Sequence, residues 1–154
     1  MTDLNDIARE AILIISDEWI KQGHDLTGKF RDSMTYDTTE DTINIYDTTE
    51  RGYGAILNKG VPADRIPFNP GSGANTSKYI QGLVRYAKLR MGASDKQALG
   101  IAFAIAHKHI KEGMPTESSK QYSSTGKRIE FVEDSIQVID KMIEEKIGEL
   151  IAWP

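Results

Sequence analysis

The chain has 154 residues, of which 39% are hydrophobic and 27% charged, and its formal net charge is −4 at pH 7. This length and composition are typical of one globular domain, and they exclude a chain that stays intrinsically disordered. The absence of cysteine excludes a disulfide scaffold, a thiol nucleophile and any cysteine-based zinc or iron–sulfur site.

The first amphipathic segment begins at Leu4. Apolar residues recur from there to Trp19 at helical spacing, which predicts a helix of about five turns with Gly23 as its stop signal. The acidic residues before and within its first turn suit the positive end of the helix dipole. They also leave the N-terminus without the basic region of a signal peptide, so we expect a soluble intracellular product.

A β-hairpin follows the first helix. Residues alternate in character over 34–38 and 42–46, which predicts two antiparallel strands turning at Glu40 and Asp41, with Tyr and Ile side chains on one buried face. The next segment, 51–60, is bracketed by glycines. Its periodicity is compatible with a third strand or with a helical turn, and the choice stays open.

Two helices are predicted between two loops. Residues 61–77 and 114–127 are rich in Pro, Gly, Ser, Thr or Lys, which predicts mobile connections. Between them, an apolar stripe predicts a helix that stops at Gly92, and a capping box at Ser94 and Gln97 opens the next. Residues 98–106 are small or apolar nearly all round, so we expect a central helix that is buried on more than one side.

The C-terminal part predicts a long acidic helix. Apolar residues recur from Ile129 to Leu150 at steps of three and four and the pattern runs nearly to Trp153 and Pro154. An apolar series of this length suits both the core of the subunit and contact with a neighbouring one.

Charge is distributed in three blocks. Residues 1–50 hold 4 Lys/Arg against 12 Asp/Glu (−8), residues 51–128 hold 13 against 4 (+9), and residues 129–154 hold 2 against 7 (−5). Such blocks suit three interpretations: a central segment that binds nucleic acid, acidic ends that face the basic middle of another copy, or a simply solvated surface.

Motifs of catalysis and metal binding are incomplete. The glycine-rich segment 70–78 lacks the Gly-Lys-Ser/Thr ending and the preceding strand of a phosphate-binding loop. His107 and His109 would point about 200° apart on a helix, so they cannot chelate one ion from a single face. Paired acids of the C-terminal helix read as a solvated face. We therefore predict a protein that is not an enzyme and that has no catalytic residue, cofactor or metal.

The order of these segments resembles a viral protein family. In the tail-completion proteins of tailed bacteriophages, also called head-to-tail joining, neck or connector proteins, a Leu-Thr-Gly-x-Leu-x-x-Ser-Ile type segment precedes the sheet. Residues 26–34, Leu-Thr-Gly-Lys-Phe-Arg-Asp-Ser-Met, are similar to it, with Phe30 in place of Leu. A Tyr-Ala-x-x-x-Glu-x-Gly type segment follows the sheet in the family. Tyr53, Ala55 and Gly60 are assigned to that segment, and Asn58 stands where the family often has Glu.

The two helices between the loops look like the insertion of longer family members. The resemblance thus covers most of residues 4–140 and implies an α+β fold: a small antiparallel sheet packed with a long N-terminal helix, a central two-helix insertion and a long C-terminal helix. It implies a single domain over residues 1–154. It also implies a homo-oligomeric ring in the virion neck, assembled in the host cytoplasm, that connects a portal or adaptor protein to tail or tail-tube proteins.

Double-stranded DNA would pass through such a ring without sequence-specific binding, and no membrane would take part. The alternative is a nucleic-acid-binding accessory protein that uses the basic segment 51–128. For the ring, we expect basic residues of one copy to face acids of the next, with the apolar series of the C-terminal helix as a second candidate contact. The predicted interface residues are Arg85, Lys88, Glu133, Ile136, Ile139, Ile143 and Glu144.

Overall fold

The computed structural model describes residues 3–49, 52–71 and 73–152, without the side chain of Leu150. Over these residues the fold is α+β, as predicted. The helices and strands are α1 (Leu4–Lys21), α2 (Lys29–Ser33), β1 (Met34–Thr38), β2 (Ile43–Asp47), α3 (Tyr53–Lys59), α4 (Lys78–Met91), α5 (Asp95–Glu112) and α6 (Phe131–Ile151). Short 3₁₀ segments lie at Ala63–Arg65, Ala74–Thr76 and Glu117–Tyr122.

The chain divides into two compact units. One unit, called the outer unit because its two segments flank the other in the sequence, consists of residues 1–59 and 121–154 and holds α1, α2, the hairpin, α3 and α6. The inner unit consists of residues 60–120 and holds α4 and α5. The inner unit therefore contains both helices that were predicted between the two loops.

The boundaries of α1 follow from local chemistry. The Asp3 side chain caps the helix by accepting a hydrogen bond of 2.8 Å from the backbone N–H of Asp6. Gly23 has a left-handed φ of 74°, and a Cβ there would collide with the carbonyl oxygen of Tyr122. Glycine is therefore needed at this position both for its conformation and for the close approach of the chain.

An aromatic cluster forms the core of the outer unit. Trp19 of α1 stacks on Phe30 of α2 with ring centroids 4.0 Å apart, and Phe131 of α6 meets Trp19 edge-on at 5.0 Å. Trp19 and Phe131 are only 2% and 1% exposed. Met34 and Ile45, on one face of the hairpin, pack against the same cluster. The predicted hairpin is confirmed, with Tyr36 opposite Ile45 in the ladder.

Helices α1 and α6 run antiparallel. Near the end of α1 the buried Gln22 amide donates to the carbonyl of Ile129 at 3.0 Å, and halfway along α1 the carboxylate of Glu10 pairs with Lys146 at 2.9 Å. This hydrogen-bonded ion pair raises the pKa of Lys146. The predicted C-terminal helix is confirmed as far as Ile151, whereas Trp153 and Pro154 lie outside the described residues.

The choice between strand and helix after the hairpin is settled in favour of a helix. Residues Tyr53–Lys59 form α3, which buries Gly54 and Asn58, while residue 51 lies outside the described part of the chain. A Cβ on Gly54 would lie 2.5 Å from Cε2 of Phe30. The glycine therefore lets α3 approach the aromatic cluster closely.

The inner unit is built around the α4–α5 pair. Its core consists of Ile80 from α4, Ala102 and Ala106 from α5, and Ile66 and Phe68 from the preceding connection. The predicted irregular connection 61–77, of which residue 72 is not described, thus supplies two core residues that its sequence pattern did not indicate.

The predicted helix boundaries in the inner unit are confirmed. Gly92 ends α4 in a left-handed conformation, and Ser94 and Gln97 form the capping box of α5. The prediction that residues 98–106 are buried on several sides is wrong. Only the face of Ala98, Ala102 and Ala106 is buried, whereas Gly100 and Ala104 are exposed. Small residues allow close packing, but they do not specify that every side of a helix is packed.

Candidate interaction surface

Helix α6 carries two apolar faces. One face points into the outer unit through the buried Phe131 and Met142. The other is a line of isoleucines at spacings of seven, four and four residues, which places them within one sector of the helix. We call this line the isoleucine stripe: Ile136, Ile143, Ile147 and Ile151. Ile136, Ile147 and Ile151 are 47%, 49% and 79% exposed, and Ile143 is half-buried.

The structure separates the three isoleucines predicted for the interface. Ile139 packs against the aromatic cluster, so it serves the core of its own chain. Ile136 is exposed, and Ile143 lies between these extremes. The apolar residues of α6 therefore form two adjacent stripes. One stripe packs against the core of the outer unit, and the other is exposed and available for contact with another molecule.

Acidic residues accompany the isoleucine stripe on the side away from the core. They are exposed, and each precedes an isoleucine of the stripe by three residues, so the two side chains are neighbours on the helix surface. We call these residues the acidic margin: Glu133, Asp140 and Glu144.

Glu133 also has a partner within its own chain. Its Oε2 accepts a hydrogen bond of 2.8 Å from Nδ2 of Asn58, and Oδ1 of Asn58 accepts one of 2.9 Å from the backbone N–H of Val132. Asn58, buried at the end of α3, thereby accepts a hydrogen bond from a backbone N–H in the first turn of α6 that has no partner within the helix. No local sequence pattern indicates this role, because Asn58 and Val132 are 74 positions apart.

Helix α4 presents a basic face. Three exposed basic residues lie on one side of it at spacings of seven and three residues, and we call them the basic face: Lys78, Arg85 and Lys88. Lys88 forms an ion pair of 2.6 Å with Asp95, and its hydrogen bond lowers the pKa of that carboxyl group. Within the described residues, Arg85 has no ion pair. Leu89, beside it, is 51% exposed.

The charges of the chain follow its division into units. The outer unit holds 10 Lys/Arg against 19 Asp/Glu, a net charge of −9, and the inner unit holds 9 against 4, a net charge of +5. The predicted interface residues fall into both units, with Arg85 and Lys88 in the inner one and the α6 residues in the outer one.

Of the two histidines considered as metal ligands, His109 is buried within the inner unit. Its Nδ1 is 2.5 Å from the hydroxyl of Tyr79, which links α5 to α4. Burial lowers the pKa of His109 and raises the pKa of Tyr79 to about 12, so both side chains are neutral at pH 7. His107 is exposed. Within residues 3–49, 52–71 and 73–152, no cluster of three or more His, Asp or Glu side chains could hold a metal ion.

Residues 124–128, the basic segment before α6, form hydrogen bonds with the end of α1. Nε and Nη2 of Arg128 donate to the carbonyl oxygens of Gln22 and Gly23 at 3.1 and 3.2 Å. The backbone N–H of Ser124 donates to the carbonyl of Lys21 at 2.8 Å. These donors satisfy carbonyl groups that the end of a helix leaves without intrahelical partners. The sequence pattern predicts a mobile loop over 114–127 and a basic segment over 51–128, and it does not indicate these contacts with α1.

None of the described helices has both the length and the apolar character needed to cross a bilayer. A scan of family models matched none to this chain, and comparisons with curated protein sequences and with solved structures also gave no match.

Proposed function

We propose that this protein is a structural subunit of a homo-oligomeric ring in the neck of a tailed bacteriophage. The ring connects the portal or adaptor protein of the capsid to the tail and lets double-stranded DNA pass. The subunit has no catalytic activity and no cofactor in this proposal. The resemblance of residues 26–34 and 53–60 to tail-completion proteins suggests the family, and the α+β fold with its two-helix insertion agrees with what that resemblance implies.

The isoleucine stripe of α6 carries the proposal. Several large apolar side chains that lie in one line on a surface suit a protein–protein contact better than a solvated face. The stripe is flanked by acids on an outer unit of net charge −9, and the same chain has an inner unit of net charge +5. Two different, complementary surfaces on one chain favour the head-to-tail contacts that build a closed ring.

The basic face of α4 supports a second candidate function, a nucleic-acid-binding accessory protein. Exposed Lys78, Arg85 and Lys88 on one side of a helix suit contacts with phosphates, and such binding weakens steeply with salt. A DNA channel, by contrast, has to avoid tight phosphate binding, because many such contacts would hold the strand in place.

Sedimentation velocity and negative-stain electron microscopy of the purified full chain test the ring. We expect concentration-dependent assembly into closed rings and only weak binding of a short DNA duplex. A chain that stays monomeric and binds the duplex with a steep salt dependence would overturn the ring and favour the accessory protein. Binding is measured by fluorescence anisotropy of the labelled duplex over a series of salt concentrations.

A further inference from the structure

Resting on the ring proposed above, we infer that neighbouring copies meet through one helix from each. The basic face of α4 in one copy lies parallel to α6 in the next copy, opposite its acidic margin and isoleucine stripe. The occupant of the stripe is thus a second copy of this chain.

The spacing of the charges gives the direction of the contact. The acidic margin spans steps of seven and then four residues, and the basic face spans steps of seven and then three. At 1.5 Å per residue, the first step is about 10.5 Å on both helices, and the second differs by only about 1.5 Å. Parallel helices therefore place each base opposite an acid. In an antiparallel arrangement the order of the basic steps reverses to three and then seven residues, while the acidic steps remain seven and then four. The middle base, Arg85, then no longer lies opposite the middle acid, Asp140.

The same register brings a recess opposite the isoleucine stripe. When Lys78 is placed opposite Glu133, Gly82 and Ile136 lie at nearly the same height along the two helix axes, four and three residues further on. Gly82 is an exposed glycine inside α4, and among the described residues a Cβ built on it would face open space beyond the backbone of its own helix. Because an interior glycine destabilises a helix relative to alanine, Gly82 does not increase the stability of the single chain. An isoleucine from a neighbouring helix fits such a gap in the ridge of side chains.

The middle charge pair, Arg85 and Asp140, contributes most to the specificity of the contact. Lys88 and Glu133 already have partners within their own chain, Asp95 and Asn58. Arg85 and Asp140 form no ion pair within the described residues, so a neighbouring copy supplies their first partner. Exposed pairs are individually weak, but the pair recurs at every contact of a closed ring, beside the apolar stripe.

A charge swap tests the middle pair. The full-length variants Arg85→Glu and Asp140→Lys each place like charges together, and we expect each to weaken association at least about tenfold in sedimentation velocity. The double variant Arg85→Glu/Asp140→Lys restores opposite charges at every contact, so its association constant should return to within about threefold of wild type.

Matched controls reverse charges away from the proposed contact. Arg65→Glu changes an exposed base of the 3₁₀ segment Ala63–Arg65, and Glu145→Lys changes an exposed acid about 140° around α6 from Asp140. Both should assemble like wild type, and every variant should keep the thermal transition of the wild-type chain measured at a concentration that gives monomers.

A steric variant tests the recess. Gly82→Gln puts a side chain where we place Ile136, and we expect loss of assembly with no loss of thermal stability, because glutamine favours a helix more than glycine does. Gly100→Gln is the matched control: Gly100 is also an exposed glycine inside a helix, with open space around its Cβ position.

The outcomes separate this inference from the proposed function. Rings from the wild type, loss in the single variants and rescue in the double variant support the helix-to-helix contact. If Gly82→Gln and both single charge variants assemble like wild type, the contact is wrong while the ring stands. If the wild-type chain forms no oligomer, both proposals are overturned.

Discussion

The side chain of Asn58 caps helix α6 by accepting a hydrogen bond of 2.9 Å at its Oδ1 from the backbone N–H of Val132. The backbone carbonyl of Asn58 accepts a second bond, of 2.7 Å, from the N–H of Glu130. Glu130 precedes α6 with a positive φ of 59° and supplies no side-chain cap of its own. The start of the longest helix therefore depends on a residue of α3, which joins the two separate segments of the outer unit.

Replacement of this cap should destabilise the fold. Asn58→Ala leaves the half-buried N–H of Val132 without its acceptor, and we expect the free energy of unfolding to fall by about 1–3 kcal/mol. Urea denaturation followed by circular dichroism measures it. Asn69→Ala, at an exposed position, is the control and should change stability by less than about 0.5 kcal/mol. Equal stability of the two variants would contradict the capping role.

Local sequence signals predicted the elements whose boundaries depend on neighbouring residues. The Ser94–Gln97 capping box, the Gly92 stop and the alternation of the hairpin each act within a few positions, and the structure confirms them. The role of Asn58 could not be predicted in this way. Its partner is 74 positions away, and only the packing of α3 against α6 brings them together.

Burial was harder to predict than helicity. Phe131 lies at the centre of the aromatic cluster, yet the periodic apolar series that begins at Ile129 does not include it. In α5 the small and apolar residues 98–106 fit a helix packed on any side, and tertiary contacts select the face of Ala98, Ala102 and Ala106. For the candidate surface, the residues predicted on α6 include Glu133, Glu144, Ile136 and Ile143. They do not include Asp140, Ile147 or Ile151, and the sequence does not distinguish Ile139, which packs in the core, from its exposed neighbours.

The close approach of α3 to the aromatic cluster gives a double-mutant test. Gly54→Ala places a Cβ 2.5 Å from Cε2 of Phe30, and we expect a cost of about 1–3 kcal/mol in the free energy of unfolding. In a Phe30→Leu background the ring edge is absent, so the additional cost of Gly54→Ala should shrink. Urea denaturation of the four chains measures the coupling. Additive effects would show that the ring edge is not what excludes alanine.

The contact of Arg128 with the end of α1 should contribute to stability. Arg128→Met keeps the apolar stem but removes the donors to Gln22 and Gly23, and we expect a loss of about 1–3 kcal/mol. Lys141→Met, on the exposed surface of α6, serves as the control for removal of one positive charge. Chemical denaturation at equal salt compares the two variants, and a loss of the same size in both would contradict a specific contact.

The buried His109 should make stability depend on pH between pH 7 and 5. Burial lowers its pKa in the folded chain below the value of about 6.5 expected for the unfolded chain, although the charge of Glu112 opposes this shift. The unfolded state therefore binds a proton first as the pH falls. The contribution of His109 is thus fully present above about pH 6.5 and is lost as the pH falls from there toward the folded pKa.

We expect His109→Gln, which does not titrate in this range, to lose less stability than the wild type between pH 7 and 5. His107→Gln removes an exposed histidine two positions away and should keep the pH dependence of the wild type. Urea midpoints at half-unit steps of pH measure the three curves. If His109→Gln loses as much stability as the wild type between pH 7 and 5, the assignment of the pH dependence to His109 is wrong.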